Sequence, residues 1–361
     1  MNGIWAVMIV KNEENVIERC IEAAADKIDG FVIFDTGSDD KTIAKIEETK
    51  ERLNLNLICK QTEWTNFGVN RSEVLDFART IENCKYMLVL DADDMLEGTF
   101  DIKKEIDVGN MMVKTDGIEH VHRRLFNTKF EWKYVGAVHE YPVTCGERTG
   151  TEKEVMIKSA WINHMNDGGS HEDGMKKSEE YIKLLESSDQ NDPRTVFYLA
   201  QTLRGMGKLA EAKEKYKQRL VMGGYKQEIV VSMLCIARIQ HVMGQYESAL
   251  MWYMKTYETD PERSEALREI VRVSKQLDMF NLGLWAGEKL IALRKIKGTP
   301  QSKLFYEGNK INEYTLMDMG LCAYYANPRN KRIAKQAWIE IMQTGTNEAN
   351  MSQAKKNLEW V

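Results

Sequence analysis

Four short apolar runs alternate with segments of helical spacing over the first ninety residues. The runs are 4–10, 31–34, 55–59 and 86–90, and each is too short for a typical helix. Runs that are apolar at consecutive positions are typical of parallel strands buried on both faces. The pattern therefore predicts a doubly wound sheet, whose helices make right-handed crossovers between the strands.

After residue 95 the pattern changes to an alternation of apolar and polar residues. It predicts strands at 109–115, 117–126, 130–143 and 154–162, which are joined by turns rich in Gly and Asn. Together with the parallel strands, these segments predict an N-terminal α/β domain with a mixed sheet.

From about residue 170 onward the spacing is helical, and it repeats. Small residues, a glycine and a tyrosine recur with a shift of 37 positions: Ala200, Gly207, Ala212 and Tyr216 return as Ala237, Gly244, Ala249 and Tyr253. Small residues at helix contacts and Gly at the turn are typical of tetratricopeptide-like hairpins, whose usual period is about 34 residues.

Further signals place helix ends and the domain boundary. Asp192-Pro193 and Asp260-Pro261 each predict a helix start, because proline is favoured at the first helical position. Helices are also predicted at 313–325 and 331–343. The break in pattern near residue 168 predicts two domains, 1–167 and 168–361.

Composition supports a folded protein and restricts its partners. The chain has 361 residues, of which 43% are hydrophobic and 29% charged, enough for two domains with substantial cores. A net charge of -5 provides no global basic field for nucleic acid or anionic lipid. Six scattered cysteines without a Cys-x-x-Cys pair look reduced, and no apolar run approaches the ~18 residues of a membrane span. We therefore expect a cytoplasmic protein with no integral membrane segment.

Acidic residues follow two of the predicted parallel strands. Asp35 follows the second, and Asp91, Asp93 and Asp94 follow the fourth. Ligands of open α/β sheets bind outside the carboxyl ends of the strands, where carboxylates can hold a divalent cation together with phosphates. Neither a Gly-x-Gly-x-x-Gly pattern after the first strand nor a P-loop is present, which favours a metal-held diphosphate. The alternative is a set of solvated strand ends.

In this order the motifs resemble those of GT-A glycosyltransferases of the family-2 type, in particular the bacterial and phage group with a C-terminal tetratricopeptide domain. The matching segments are MIVKNEE at 8–14, FDTGSDDKT at 34–42, residues 67–71, LDADD at 90–94, RLF at 124–126, GAVHE at 136–140, and His164. The resemblance implies a GT-A domain followed by a helical-repeat domain.

The resemblance also implies a binding site for a nucleotide-sugar donor. Asp35 would read the base, and Val10 and Glu13, with Asn12 between them, would line its pocket. Arg71 would contact the base or the pyrophosphate. Asp91, next to Ala92, would face the ribose or the sugar.

The metal site and the general base follow from the same resemblance. Asp93 would bind Mn²⁺ or Mg²⁺ and His164 would complete the site, and a histidine ligand favours manganese. Glu140 is the candidate general base that deprotonates the acceptor. Asp94 is the alternative base, and in another interpretation His139 and Glu140 only hydrogen-bond the sugar or the acceptor.

Trp132 can form a platform for a sugar, although an aromatic residue that faces inward from a strand is more often a core residue. The helical repeats can bind a protein partner, mediate self-association or buttress the acceptor cleft. The acceptor is a saccharide, a protein or peptide, or, less favoured, a modified nucleic acid.

The function predicted is transfer of a sugar, with inversion, from a UDP-linked donor by a metal-dependent enzyme. One alternative is a tetratricopeptide adaptor whose N-terminal half is a retired transferase. Another is nucleotidyl transfer, which uses a similar arrangement of aspartates and metal.

Overall fold

A computed structural model describes residues 3–102, 104–116, 118–146, 149–168, 174–295, 303–308 and 311–361. The chain divides into two compact units, Met1–Asp189 and Gln190–Val361. This division places the helix Gly174–Ser187 with the first unit. The domain boundary at 167/168 stays a prediction.

The first unit contains an eight-stranded mixed sheet and a separate two-stranded hairpin. Along the sheet the strand order is β3-β2-β1-β4-β7-β6-β10-β5, and the hairpin pairs β8 with β9. The strands are β1 Ile4–Val10, β2 Gly30–Asp35, β3 Leu57–Gln61, β4 Tyr86–Val89, β5 Asp94–Gly98, β6 Val108–Thr115, β7 Ile118–Asn127, β8 Glu131–Val135, β9 Tyr141–Cys145 and β10 Glu154–His164.

Helices cover both faces of the parallel strands, as the continuous apolar runs predict. The helices of this unit are α1 Ile17–Ala25, α2 Thr42–Leu53, α3 Phe67–Ala78 and α4 Gly174–Ser187. Side chains of α1 and α2 pack on one face of the sheet, and those of α3 pack on the other. Since β1 is parallel to both β2 and β4, the carboxyl ends of these three strands lie at one edge.

The other half of the sheet is largely antiparallel. β7 runs antiparallel to β4 and β6, and β10 runs antiparallel to β5, so the sheet is mixed as predicted, although the sequence pattern did not specify these pairings. The prediction of one continuous strand over 130–143 is wrong, because this segment forms two strands, β8 and β9. Gly136 at φ 107° and His139 at φ 53° turn the chain between them.

The second unit consists of helical hairpins with the predicted repeat. Gly207 and Gly244 have φ near 75°, a left-handed conformation that turns the chain between the helices of two successive hairpins. The recurring Ala and Tyr side chains are fully buried at the helix contacts, which explains the 37-residue period. The helices are α5 Pro193–Gly205, α6 Leu209–Val221, α7 Lys226–Val242, α8 Tyr246–Thr259, α9 Ser264–Gln276, α10 Phe280–Arg294, α11 Glu313–Tyr325, α12 Lys331–Thr344 and α13 Glu348–Leu358.

One predicted helix start is confirmed and one is wrong. Asp192 caps α5 by accepting from the backbone amides of its first turn, with Pro193 at the first position. Pro261, in contrast, lies before α9, which begins at Ser264. The Asp260 carboxylate does not cap a helix because it accepts from Lys303 instead. No helix in the described part of the chain is long and apolar enough to cross a membrane.

Candidate functional site

The carboxyl ends of β1 and β2 place Asp35 beside Val10, its direct partner in the sheet. Both residues are buried. One carboxylate oxygen of Asp35, Oδ1, accepts from the amides of Gly37 (3.1 Å) and Ser38 (3.0 Å). The other oxygen, Oδ2, is buried without a hydrogen-bond partner in the described structure. A buried carboxylate oxygen is costly to leave unpaired, so this atom can accept a hydrogen bond from a ligand.

The loops after β1 and β2 bind each other. Asn12, at φ 55°, donates its amide to Ser38 Oγ (2.9 Å) and accepts from the amide of Asp39 (2.9 Å). The Glu13 amide donates to Thr42 Oγ1 at 2.7 Å. These cross-links fix the backbone at the edge of the sheet next to Asp35.

Two arginines hold Asp91, which follows β4. Arg71 Nη2 lies 2.5 Å from Asp91 Oδ1, and Arg124 Nη1 lies 3.2 Å from Asp91 Oδ2. Arg124 reaches this carboxylate because β7 pairs Leu125 with Leu88 and so brings the preceding residue to the carboxyl end of β4. Burial opposes ionisation of Asp91, but the two guanidinium groups outweigh it and hold its pKa well below the usual range. Asp91 is therefore a fixed anion.

Asp93, Asp94 and His164 form a cluster in which one potential ligand atom of each residue lies within 4.8 Å of the others. His164 is opposite Asp94 in the pairing of β10 with β5, and its Nδ1 lies 2.8 Å from Asp94 Oδ1 and 3.5 Å from Asp93 Oδ1. Burial raises the pKa of Asp93; the charge of His164 opposes this rise, and the neighbouring carboxylates add to it. The hydrogen bond to Asp94 raises the pKa of His164 against the effect of burial.

This donor set fits a divalent cation. Two carboxylates and an imidazole whose ligand atoms lie within 4.8 Å of one another suit Mn²⁺ and Mg²⁺, and the imidazole is the softer ligand, which manganese accepts more readily. Gly168 closes the site from another side: a Cβ atom at Gly168 would lie 3.1 Å from Glu13 Oε2 and 3.3 Å from Asp93 Oδ2.

Glu140 joins the same network through Arg71, whose Nε lies 2.7 Å from Glu140 Oε1. The Glu140 side chain is 14% exposed. Burial opposes the charge on Arg71, but the carboxylates of Asp91 and Glu140 raise its pKa above the ordinary value. The loop that carries Glu140 packs closely on α3, since a Cβ atom at Gly68 would overlap the carbonyl oxygen of Gly136. Glu140 is thus fixed on the same side of the sheet as Asp91.

An aromatic cluster lies beside Glu140. The ring centroids of Trp64 and Phe67 are 4.8 Å apart, and Tyr181 of α4 lies 6.2 Å from both Phe67 and His139. Burial raises the pKa of Tyr181 to about 12, and the Glu140 carboxylate contributes to this rise. Trp64 is 39% exposed, so the cluster presents aromatic surface near the candidate base.

For two side chains, burial decides between the alternatives that the sequence left open. Trp132 is fully buried, contacts Phe126 and Phe130 and donates its indole N–H to the Asn127 carbonyl, so it is a core residue and no platform for a sugar. Asp94 is also fully buried, and its oxygens are engaged by His164 and by the Asp91 amide. Asp94 therefore fits a metal ligand better than a general base.

The positions of Arg124 and Tyr181 at the site, and the place of Asp94 in the cluster with Asp93 and His164, were not predicted from the sequence. A signal existed for Arg124, because it is the first residue of the RLF segment at 124–126, whose Leu125 and Phe126 pair with β4. Nothing in the sequence around Tyr181 indicates that it lies beside His139, because this contact depends on where α4 packs.

Comparisons with known proteins agree with the two kinds of domain. Residues 5–107 match the model of the family described as Glycosyl transferase family 2. A TPR repeat-containing protein of Synechococcus elongatus is 23% identical over 306 residues, which cover 79% of this chain and 73% of that relative.

Solved structures resemble the chain over about half its length. A tetratricopeptide repeat protein from Parabacteroides merdae is 14% identical, with a TM-score of 0.38, and the match covers 52% of this chain and 71% of that one. YrrB, described as a TPR protein with an unusual peptide-binding site, is 14% identical with a TM-score of 0.38, over 50% of this chain and 84% of that one.

Proposed function

We propose that this chain, whose N-terminal unit carries a family-2 glycosyltransferase domain, transfers a sugar from a nucleoside-diphosphate donor to an acceptor hydroxyl group. The observation that carries the proposal is the meeting of Asp35, Asp93 and His164 along one edge of one sheet. These residues are far apart in sequence, and a purely structural protein gains nothing from collecting partly unpaired acids there.

The nucleotide is held beside the ends of β1 and β2. The unpartnered Oδ2 atom of Asp35 accepts a hydrogen bond from an N–H group of the base. A single acceptor atom suits uracil, which has one imide N–H group, and therefore favours a UDP-linked donor. Val10, Asn12 and Glu13 form the adjoining wall. Arg71 contacts the base or the pyrophosphate.

The ribose and the metal-bound phosphates lie along the LDADD segment, residues 90–94. Asp91 and Ala92 line the ribose or sugar, and Asp93, Asp94 and His164 would hold Mn²⁺ or Mg²⁺. When bound, the cation supplies positive charge that stabilises the departing diphosphate. Arg71 and Arg124 keep Asp91 ionised and in place.

Glu140 acts as the general base in an inverting transfer. The acceptor oxygen forms a bond to the anomeric carbon, the bond from that carbon to the diphosphate oxygen breaks, and the acceptor proton passes to the Glu140 carboxylate. The hydrogen bond from Arg71 orients this carboxylate. His139 and Tyr181, on the aromatic cluster next to Glu140, contact the acceptor.

The test is calorimetry and thermal shift with UDP, GDP and their sugars, with and without Mn²⁺, followed by analysis of the donor products. Saturable binding of UDP that depends on Mn²⁺, and release of UDP from the sugar donor, support the proposal. Release of a nucleoside monophosphate indicates nucleotidyl transfer instead. Absence of any nucleotide binding favours an adaptor whose transferase domain is retired, which the TPR-named relative also suits.

A further inference from the structure

The four residues that follow β10 return to the candidate metal site. This closing segment, residues 165–168, begins directly after His164, the last residue of β10. The backbone amide of Met165 donates to the carbonyl oxygen of Asp93 at 3.1 Å. Asn166 has φ 60°, a left-handed conformation that turns the chain. The chain therefore turns at the end of the strand and stays beside Asp93.

Gly168 brings the closing segment against two acids of the site. Gly168 is buried, and a Cβ atom there would lie 3.1 Å from Glu13 Oε2 and 3.3 Å from Asp93 Oδ2. These distances are too short for an ordinary contact, so a side chain at this position would push on both carboxylates. The φ of Gly168 is not positive, so the backbone itself does not require glycine. The close approach to the acids favours glycine here.

One ion pair ties the closing segment to α1. Nη1 of Arg19 lies 2.9 Å from Oδ2 of Asp167, and Nη2 lies 2.7 Å from Oδ1. Two parallel hydrogen bonds of this kind fix the orientation of both groups. The two residues are 148 positions apart in the sequence, and the buried face of α1 packs on the sheet. The pair therefore connects the closing segment to a rigid part of the domain.

Arg19 is oriented by Asp167 and lies near the metal site. Its Nε is buried and has no hydrogen-bond partner among the residues that the structure describes. The hydrogen bond to Asp167 raises the pKa of Arg19 against the effect of burial, and the charge of Asp93 contributes to this rise. Both carboxylate oxygens of Asp167 accept from Arg19, so Asp167 is not a further ligand for the cation.

Stability alone does not account for this pair. The side chains of Arg19 and Asp167 are 35% and 46% exposed, and ion pairs at such positions contribute little to the stability of a fold. Arg52 of α2, which pairs with acids of α1 at a similar exposure, is an ion pair of that ordinary kind in the same unit. Asp167 differs because it directly precedes Gly168, whose neighbour is Asp93.

We propose that Arg19 and Asp167 are positioning residues, whose ion pair holds Gly168 against Glu13 and Asp93 and thereby keeps the Asp93 carboxylate in the orientation that binds the divalent cation. The inference rests on the proposed function, because it assigns the pair to the metal site of the sugar transfer. Neither residue is a ligand. They act through Gly168, as residues behind the ligands of metal sites orient those ligands.

The test measures the Kd for Mn²⁺ of the full-length chain by calorimetry, with and without UDP. Asp167→Ala removes the ion pair and leaves the ligand set of Asp93, Asp94 and His164 complete. We expect its Kd for Mn²⁺ to rise by about tenfold or more. The melting temperature without metal should change by less than about 4 °C, because the pair is exposed.

Reversal of the pair separates position from charge. Arg19→Asp combined with Asp167→Arg exchanges the two charges and leaves the net charge of the chain unchanged. This double variant should recover part of the Mn²⁺ affinity that Asp167→Arg alone loses, because the segment is tied to α1 again. An effect of charge alone predicts no recovery, since a guanidinium group on the closing segment repels the cation.

Two further comparisons test the contact and the pair. Gly168→Ala should weaken Mn²⁺ binding, whereas Gly205→Ala should not, because a Cβ atom at Gly205 meets open space. Arg52→Ala breaks the exposed pairs between α2 and α1 and should leave the Kd for Mn²⁺ unchanged. Circular dichroism verifies that each variant is folded.

The outcomes distinguish this inference from the proposed function. If the unmodified chain has no saturable Mn²⁺ binding, the metal site is refuted and the inference falls with it. If the unmodified chain binds Mn²⁺ and Asp167→Ala binds it equally well, only the inference is overturned. Weaker binding by Asp167→Ala without any recovery in the folded double variant also overturns it, because the effect then comes from the charge of Asp167.

Discussion

His164 and Asp94 face each other across two antiparallel strands, with 2.8 Å between Nδ1 of the histidine and Oδ1 of the aspartate. Because β5 begins at Asp94, within the acidic segment 91–94, its pairing with β10 joins residues that are 70 positions apart in the sequence at the candidate metal site. The register of one strand pair therefore decides whether His164 can act with Asp93.

Substitution of Asp93 should abolish sugar transfer while the domain remains folded. In Asp93→Ala the cluster keeps Asp94 and His164 but loses one carboxylate ligand, so we expect turnover to fall by at least about 10²-fold and Mn²⁺ affinity to weaken. Donor hydrolysis and calorimetry with Mn²⁺ measure the two effects. Glu82→Gln, at an exposed position in the loop before β4, is the control. Undiminished turnover in Asp93→Ala refutes the assignment.

Replacing Glu140 should separate catalysis from donor binding. Glu140→Gln keeps the shape of the side chain but cannot take a proton, so kcat should fall by about 10²-fold or more with little change in the Kd for the donor. Glu131→Gln, on β8 with a side chain 40% exposed, should have no effect on either. If Glu140→Gln loses donor binding instead, Glu140 belongs to recognition.

Two adjacent arginines on β7 allow the stability contributions of a largely buried ion pair and a surface ion pair to be compared. Arg124, whose side chain is 14% exposed, pairs with Asp91 and lies 3.6 Å from Asp94, whereas Arg123 pairs with Glu154 at the surface. Arg124→Gln removes one of the two guanidinium groups that pair with Asp91 and the one that lies beside fully buried Asp94, and it should cost about 1–3 kcal/mol. Arg123→Gln should cost about 0–1 kcal/mol. Urea unfolding of the two variants measures the difference, and equal costs contradict the role given to Arg124.

The buried pair of Asp260 and Lys303 should make the helical unit less stable in acid. Burial alone raises the pKa of Asp260, but the hydrogen bond and charge of Lys303 outweigh it, so the pKa in the folded state lies below its ordinary value. Such a group stabilises the fold above its unfolded pKa of about 3.9, and this stabilisation is lost as the pH falls through the folded pKa.

Asp260→Asn should therefore be less stable than the unmodified chain at neutral pH, and the difference should shrink as the pH is lowered from about 5 toward 3. Chemical unfolding followed by circular dichroism at several pH values measures it. Glu262→Gln, whose side chain is 71% exposed and lies 3.8 Å from the same lysine, should show little of this dependence. A difference that does not change with pH contradicts the assignment.

Local patterns in the sequence were enough to predict most of the secondary-structure elements and the two kinds of domain. Apolar runs predicted β1, β2 and β4, and the 37-residue recurrence predicted the hairpins of α5 to α8, because hydrophobic periodicity reports which face of an element is buried. The same patterns missed β5, which is short and begins within the acidic turn. They also placed a helix start at Pro261, where the neighbouring Asp260 is engaged by Lys303 instead.

The sequence by itself also determined which residues can do chemistry, since the acids that follow the parallel strands meet at one edge in any doubly wound sheet. Only the tertiary structure decided their partners. The pairing of β7 with β4 brought Arg124 to Asp91, the pairing of β10 with β5 made Asp94 a companion of His164, and burial removed Trp132 from the surface. These outcomes depend on strand register and packing between distant segments, where a shift of one residue moves a side chain to the opposite face of the sheet.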